Sequence, residues 1–240
     1  MLPNYALIEA IKHGSLTAFK EATERGASID TKDLDGLSTL EVAQKYAQPE
    51  MARILCRLGA DVNESIGRQG DSLIHRTARQ GDIGFTSLLI ECGADVNATN
   101  DHGKTPLHYA VSGGFQFLAD ALLAGGADHN QATPFGDTPL HIAARRGNRP
   151  IVSKLLKHGA NASLTNHTKY TPLHEAAAAG KSEVVSLLIE RGGYDKYAKR
   201  VLLPTVRRAA ELHGHHETVA AIIADPAYQE LPPPPTSRRR

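Results

Sequence analysis

Apolar residues along this chain alternate between two local patterns, each closed by a glycine. From Thr138, the first pattern places Leu140 and Ala143 three positions apart, on one face of a short helix. The threonine hydroxyl suits a helix cap, and Pro139 suits the first turn, where a missing N–H costs nothing. Gly147 then ends the helix, because glycine enters the left-handed conformation without a Cβ penalty. The second pattern, Ile151, Val152, Leu155 and Leu156, is the stripe of an amphipathic helix that Gly159 stops. The polar stretch up to Tyr170 predicts a hairpin-like loop leading to the next unit. One helix pair cannot cover its own stripe, so neighbouring pairs must do it. The stripe returns as Leu88, Leu89 and Ile90, as Leu118, Leu122 and Leu123, and as Val184, Val185, Leu188 and Ile189. Each such side chain, fully buried, contributes on the order of 1.5–3 kcal/mol.

Three copies align without a gap: TPLHYAVSGG from Thr105, TPLHIAARRG from Thr138 and TPLHEAAAAG from Thr171, each 33 residues after the last. Ala recurs at 10, 43, 110, 143, 176 and 210, where it lets paired helices approach closely. Gly recurs at 14, 81, 114, 147, 180 and 214, and again at 26, 59, 93, 126, 159 and 192. This pattern resembles the ankyrin repeat. The resemblance implies an all-α repeat solenoid, a curved stack of paired antiparallel helices joined by hairpin-like loops. About seven repeats are expected, at roughly 5–37, 38–71, 72–104, 105–137, 138–170, 171–204 and 205–225. Ser38 and Ser72 are 34 apart, which puts one extra residue in the loop Asn63–Asp71, and another falls between Gly192 and Thr205. The end copies are degenerate, as capping repeats should be. Tyr5 and Ile8 replace Thr and His in the first, while Arg207 and Arg208 replace Leu and His in the last and imply a solvent-facing outer side. Residues 226–240, with four consecutive prolines and Arg238–Arg240, read as a Pro-rich, basic, disordered tail.

Composition changes this picture little. A length of 240 residues ordinarily suggests one or two domains, but a solenoid grows by stacking and has no single central core. Net charge is +1, so no global field points toward nucleic acid or an anionic membrane, and neither is expected as a partner. Cys56 and Cys92 fall on second-helix positions of successive repeats and read as small buried hydrophobes, not a disulfide. No apolar run approaches the roughly 18 residues of a membrane span. The start, MLPNYALIEAIKHGS, lacks the basic-then-apolar order of a signal peptide, so a cytoplasmic or nuclear location is expected.

Twelve histidines invite a catalytic or metal reading. Four of them, His75, His108, His141 and His174, share the fourth position of the TPLH motif, where the resemblance implies hydrogen bonds within and between repeats. His174–Glu175 opens like HExxH, but Ala178 stands where the second zinc ligand belongs. His213, His215 and His216 straddle a helix–Gly–helix corner with no Cys or acidic pair to complete a tetrahedral set. No GxSxG elbow and no phosphate-binding glycine loop occurs. No metal or cofactor is expected.

The resemblance also implies where a partner would sit: on the loop tips and the exposed side of each first helix, which form the concave face. Tips here include Arg68, His102, Phe135 and His167; Lys104, Asp137 and Tyr170 immediately precede first helices. Lys45, Tyr46, Arg79, Gln80, Ser112, Arg145 and Arg146 lie near the ends of those helices. Tyr46, Phe135 and Tyr170 are aromatic at positions expected to be exposed, and exposed aromatics commonly anchor interfaces. Arg79, Lys104, Arg145 and Arg146 are expected to line the groove with positive charge. The expected function is a non-catalytic adaptor or regulatory subunit, monomeric, that binds a protein segment carrying acidic and apolar side chains. Two alternatives stand beside it: an ankyrin-scaffold enzyme using His102 or His167 with nearby arginines, and an effector that targets another cell's proteins.

Overall fold

Helix pairs follow the expected order. α1 (Pro3–Lys12) with α2 (Leu16–Glu24), α3 (Thr39–Lys45) with α4 (Pro49–Arg57), and α5 (Leu73–Gln80) with α6 (Ile83–Glu91) come first. α7 (Pro106–Gly113) with α8 (Gln116–Ala124), α9 (Pro139–Arg146) with α10 (Arg149–Lys157), and α11 (Pro172–Ala178) with α12 (Ser182–Arg191) continue the series. α13 (Lys196–Leu212), α14 (His216–Ile223) and α15 (Pro226–Gln229) close it. This is a computed structural model, and it describes residues 2–67 and 69–229. Two compact units divide the chain: one ends at Pro106 and takes in Ala124–Gly126, the other holds Leu107–Leu123 and the chain from Ala127. Leu7, Ile11, Met51, Leu55, Ile74 and Leu89 are fully buried in the first unit, and Leu118, Leu122, Leu140, Ile151 and Leu155 in the second.

Capping explains why the first helices begin where they do. In α3 the Ser38 hydroxyl accepts from the Glu41 N–H and the Glu41 carboxylate accepts from the Ser38 N–H, a reciprocal box. Later repeats replace the carboxylate with an imidazole. Nδ1 of His75, His141 and His174 accepts from the N–H of Ser72, Thr138 and Thr171 at 3.1, 3.2 and 3.3 Å. The repeated motif spacing is therefore a capping device in which histidine does what Glu41 does in α3.

The loops rest on a second device. Oδ1 of Asp33, Asn100 and Asn166 accepts from the amides two and four residues on. That closes each loop on a short polar side chain. Gly136 shows how tightly adjacent loops approach: its φ is +80°, and a Cβ there would lie 2.8 Å from the Asn166 Cα.

The structure departs from the sequence-based expectations in three places. The loop Asn63–Asp71, which carries the extra residue, closes on a short antiparallel pair, β1 (Ser65–Ile66) and β2 (Asp71–Ser72), a local addition within the all-α repeat solenoid. Ile66 offers no side-chain acceptor; it buries itself, and backbone pairing closes the loop instead. The expected boundary at 204/205 falls inside a helix. Asp195 caps α13 by accepting from the Ala198 N–H at 2.6 Å, and Leu203, Val206 and Ala210 then recur at helical spacing on its buried side. That buried stripe carries the helix through Pro204, which sits exposed on the other side. Finally, the expected disordered tail is ordered at its start. α15 docks through Tyr228, whose hydroxyl accepts from Arg207 at 2.7 Å, beside the Lys199–Asp225 pair at 3.3 Å. Arg207 is thus half-buried rather than solvent-facing, while Arg208 is exposed. Residues 230–240, with the four prolines and Arg238–Arg240, lie outside the described residues, as does Arg68.

Candidate functional site

Two of the arginines near the ends of first helices are organised by carboxylates. In the first unit, Arg79 Nη1 lies 2.8 Å from Asp71 Oδ2, and Asn100 Nδ2 donates to Asp71 Oδ1 at 2.7 Å. In the second, Arg145 Nη2 lies 2.6 Å from Asp137 Oδ2, and Asn166 Nδ2 donates to Asp137 Oδ1 at 3.0 Å. Both clusters use one spacing, an arginine eight positions after the aspartate and an asparagine 29 after it. The second cluster adds Glu175, which accepts from Arg145 Nε at 2.7 Å and from Asn166 at 2.8 Å. Glu175, and the ion pairs themselves, were not among the sequence-based candidates; the repeated Asp–Arg–Asn spacing was the signal that could have found them.

These contacts set the charge states. The Arg145 guanidinium is held more firmly protonated, first by Glu175, against the effect of burial, and then by Asp137. Burial pushes the Asp137 carboxyl up, but hydrogen bonds from Arg145 and Asn166 outweigh it and leave it below its usual range. Of the positive stripe expected from Arg79, Lys104, Arg145 and Arg146, Arg79 and Arg145 are therefore compensated within the chain. Lys45 also pairs, with Asp35 at 3.2 Å. Arg146 is exposed and has no ion-pair partner among the described residues.

The aromatic candidates divide. Phe135 is 76% exposed at its loop tip, and its carbonyl accepts from the His167 N–H at 3.0 Å, tying two successive tips together. Tyr170 is half-buried, its ring stacked on that of His174 with centroids 5.3 Å apart. Tyr46 is exposed at the end of α3, with the Lys12 and Lys45 ammonium groups each 5.8 Å from its ring centre. Gln80 accepts a hydrogen bond from Gln44 at 2.9 Å, and Ser112 is half-buried on α7. His102 and His167 are exposed, and neither imidazole has a hydrogen-bond or ion-pair partner among the described residues.

The motif histidines are structural. His141 Nε2 donates to the Tyr170 carbonyl at 3.0 Å, and His75 Nε2 to those of Ala98 and Lys104 at 2.9 and 3.1 Å. His174 meets the Thr205 hydroxyl at 2.9 Å instead, because α13 has replaced the loop that would supply a carbonyl. Burial lowers the pKa of all three below the ordinary histidine value. His213 and His215 stack with centroids 6.3 Å apart, and no group of three potential metal ligands occurs among the described residues. Cys56 is half-buried; burial first, and then the neighbouring Cys92 thiol, push its pKa up to about 12. No helix among the described residues is long and apolar enough to cross a membrane.

Comparison with known proteins agrees with this geometry. The family model for ankyrin repeats (3 copies) matches residues 63–133 and 114–200, together more than half of the chain. The chain is 30% identical to an ankyrin repeat domain from Acinetobacter baumannii known from a crystal structure, with a TM-score of 0.70 over 78% of this chain and 98% of that one. Among curated relatives, an ADP-ribosylation factor GTPase-activating protein of Arabidopsis thaliana is 34% identical over 86 residues, 35% of this chain. A putative ankyrin repeat protein of fowlpox virus is 32% identical over 110 residues, 45% of this chain. The chain spans only 11% and 32% of the length of these two relatives.

Proposed function

The chain belongs to the ankyrin-repeat family, a protein-interaction fold, and on that premise we propose that it is a non-catalytic adaptor that grips a partner protein with its loop tips. The supporting observation is Phe135, 76% exposed on a backbone that is itself held in place. The His167 N–H fixes its carbonyl, and Gly136 beside it allows the close approach of the next loop. Because the loop backbone is already ordered, binding need fix only the rotamer of the Phe135 side chain. Removing it from water contributes up to about 1.5–3 kcal/mol. Arg146, exposed and unpaired, supplies the positive charge that an acidic side chain of the partner would meet. The preferred partner segment has one apolar anchor and a single nearby carboxylate, a narrower requirement than four free cations would set.

An affinity pull-down from lysate of the source cell tests this, comparing the wild-type chain with a Phe135→Ala/Arg146→Glu variant. A protein retained by the wild type and lost by the variant supports the loop-tip reading. Equal retention by both would move the binding face elsewhere. The variant is chosen to leave the Arg145 cluster intact, so that lost binding is not confused with a loosened repeat.

A further inference from the structure

α13 carries apolar side chains on two opposite sides. Its inner side is apolar, with Leu203, Val206, Ala209 and Ala210 buried against α11, α14 and α15. On the opposite side Tyr197, Val201 and Leu212 are 78%, 77% and 70% exposed. At 3.6 residues per turn, Tyr197, Val201, Pro204, Arg208 and Leu212 fall within about 80° of arc, with Arg200 on the edge of the stripe. Large apolar side chains gathered on one face, unlike scattered ones, mark an interaction surface. The charges differ from those of the loop-tip face as well. Arg200 and Arg208 are exposed, and neither has an ion-pair or hydrogen-bond partner among the described residues.

We propose that the outer face of α13 is a docking surface for an acidic amphipathic helix of a partner protein. The apolar stripe has the length and spacing to receive residues at i, i+4 and i+7 of a second helix. Charge selects among occupants. A second copy of this chain, paired antiparallel about Pro204, would bring Arg200 opposite Arg208 twice over. The chain's own end carries Arg238–Arg240, of the same sign as the stripe. A helix flanked by glutamates satisfies both free guanidinium groups while covering the three apolar side chains. This surface shares no residue with the loop-tip reading and stands apart from it.

The test uses a labelled helical peptide of about 16 residues with a leucine stripe flanked by glutamates, and a lysine-flanked counterpart, titrated by fluorescence anisotropy against the whole chain. Roughly tenfold tighter binding of the glutamate peptide is expected. Arg200→Glu/Arg208→Glu should reverse the preference, and Val201→Asp should weaken the glutamate peptide about tenfold with the helical circular dichroism unchanged. Phe135→Ala/Arg146→Glu should leave it unaffected, which separates this surface from the loop tips. Four results would overturn the proposal: equal affinity for both peptides, no binding up to roughly 1 mM, self-association that Val201→Asp abolishes, or a preference for phosphatidylserine vesicles over either peptide.

Discussion

His141 and Tyr170 tie the first helix of a repeat to the end of that repeat's loop: Nε2 of the imidazole donates to the tyrosine carbonyl at 3.0 Å while Nδ1 accepts from the Thr138 N–H. With one nitrogen accepting, the proton sits on the other, so the ring is neutral and in a single tautomer. Protonating it would set Nδ1–H against the Thr138 N–H and leave the Thr138 hydroxyl, 2.8 Å away, as its acceptor.

Acid should therefore loosen this protein. Burial lowers the folded-state pKa of His75, His141 and His174 below the ordinary 6.5. The unfolded chain then takes up protons at a pH where the folded chain does not. The stability is fully present above about pH 6.5 and is lost as pH falls from there toward the folded values. Urea unfolding at pH 7.5 and 5.5 should show a lower midpoint at the lower pH. A midpoint that holds steady or rises would refute the neutral assignment.

Arg145 is a structural residue as much as a surface one. Asp137 closes the repeat before it and Glu175 belongs to the repeat after it, so Arg145→Ala should loosen both junctions. Arg145 is nearly half exposed, and solvent screening limits its coupling to Glu175 to about 0.5–1 kcal/mol. A double-mutant cycle with Glu175→Gln measures it, and the coupling should shrink in high salt. Undiminished coupling in high salt would mean that packing, not charge, joins the pair.

Thr133 occupies the loop position where Asn100 and Asn166 stand, and its hydroxyl is buried with no hydrogen-bond partner among the described residues. It is too short to reach the amides two and four residues on. Thr133→Asn should supply that acceptor and raise stability by roughly 0.5–1.5 kcal/mol. Thermal unfolding reads it; a lower melting temperature would contradict the loop equivalence.

Leu122 and Leu155 are fully buried in the second unit. Leu155→Ala should cost roughly 2–5 kcal/mol, the loss of transfer energy plus the cavity left behind. Wild-type stability in chemical denaturation would contradict the assigned core.

The sequence by itself determined the helix pairs, their order and their buried stripes. Those follow from local chemistry: caps at Ser38, Thr138 and Thr171, glycine stops such as Gly147, and apolar spacing that repeats every 33 residues. The shared role of His75, His141 and His174 was legible for the same reason, because one environment recurs in each repeat. What the tertiary structure decided depends on residues far apart in the chain. Whether Arg145 is a free cation turns on Asp137 and Glu175, and Glu175 lies 30 positions away, on the next repeat. How much of Tyr170 is exposed turns on its stacking with His174. α13 escaped the repeat pattern because a buried stripe at Leu203, Val206 and Ala210 outweighed the helix-breaking tendency of Pro204. Local preference sets each element, but the neighbours that cover it decide which charges and rings remain for a partner.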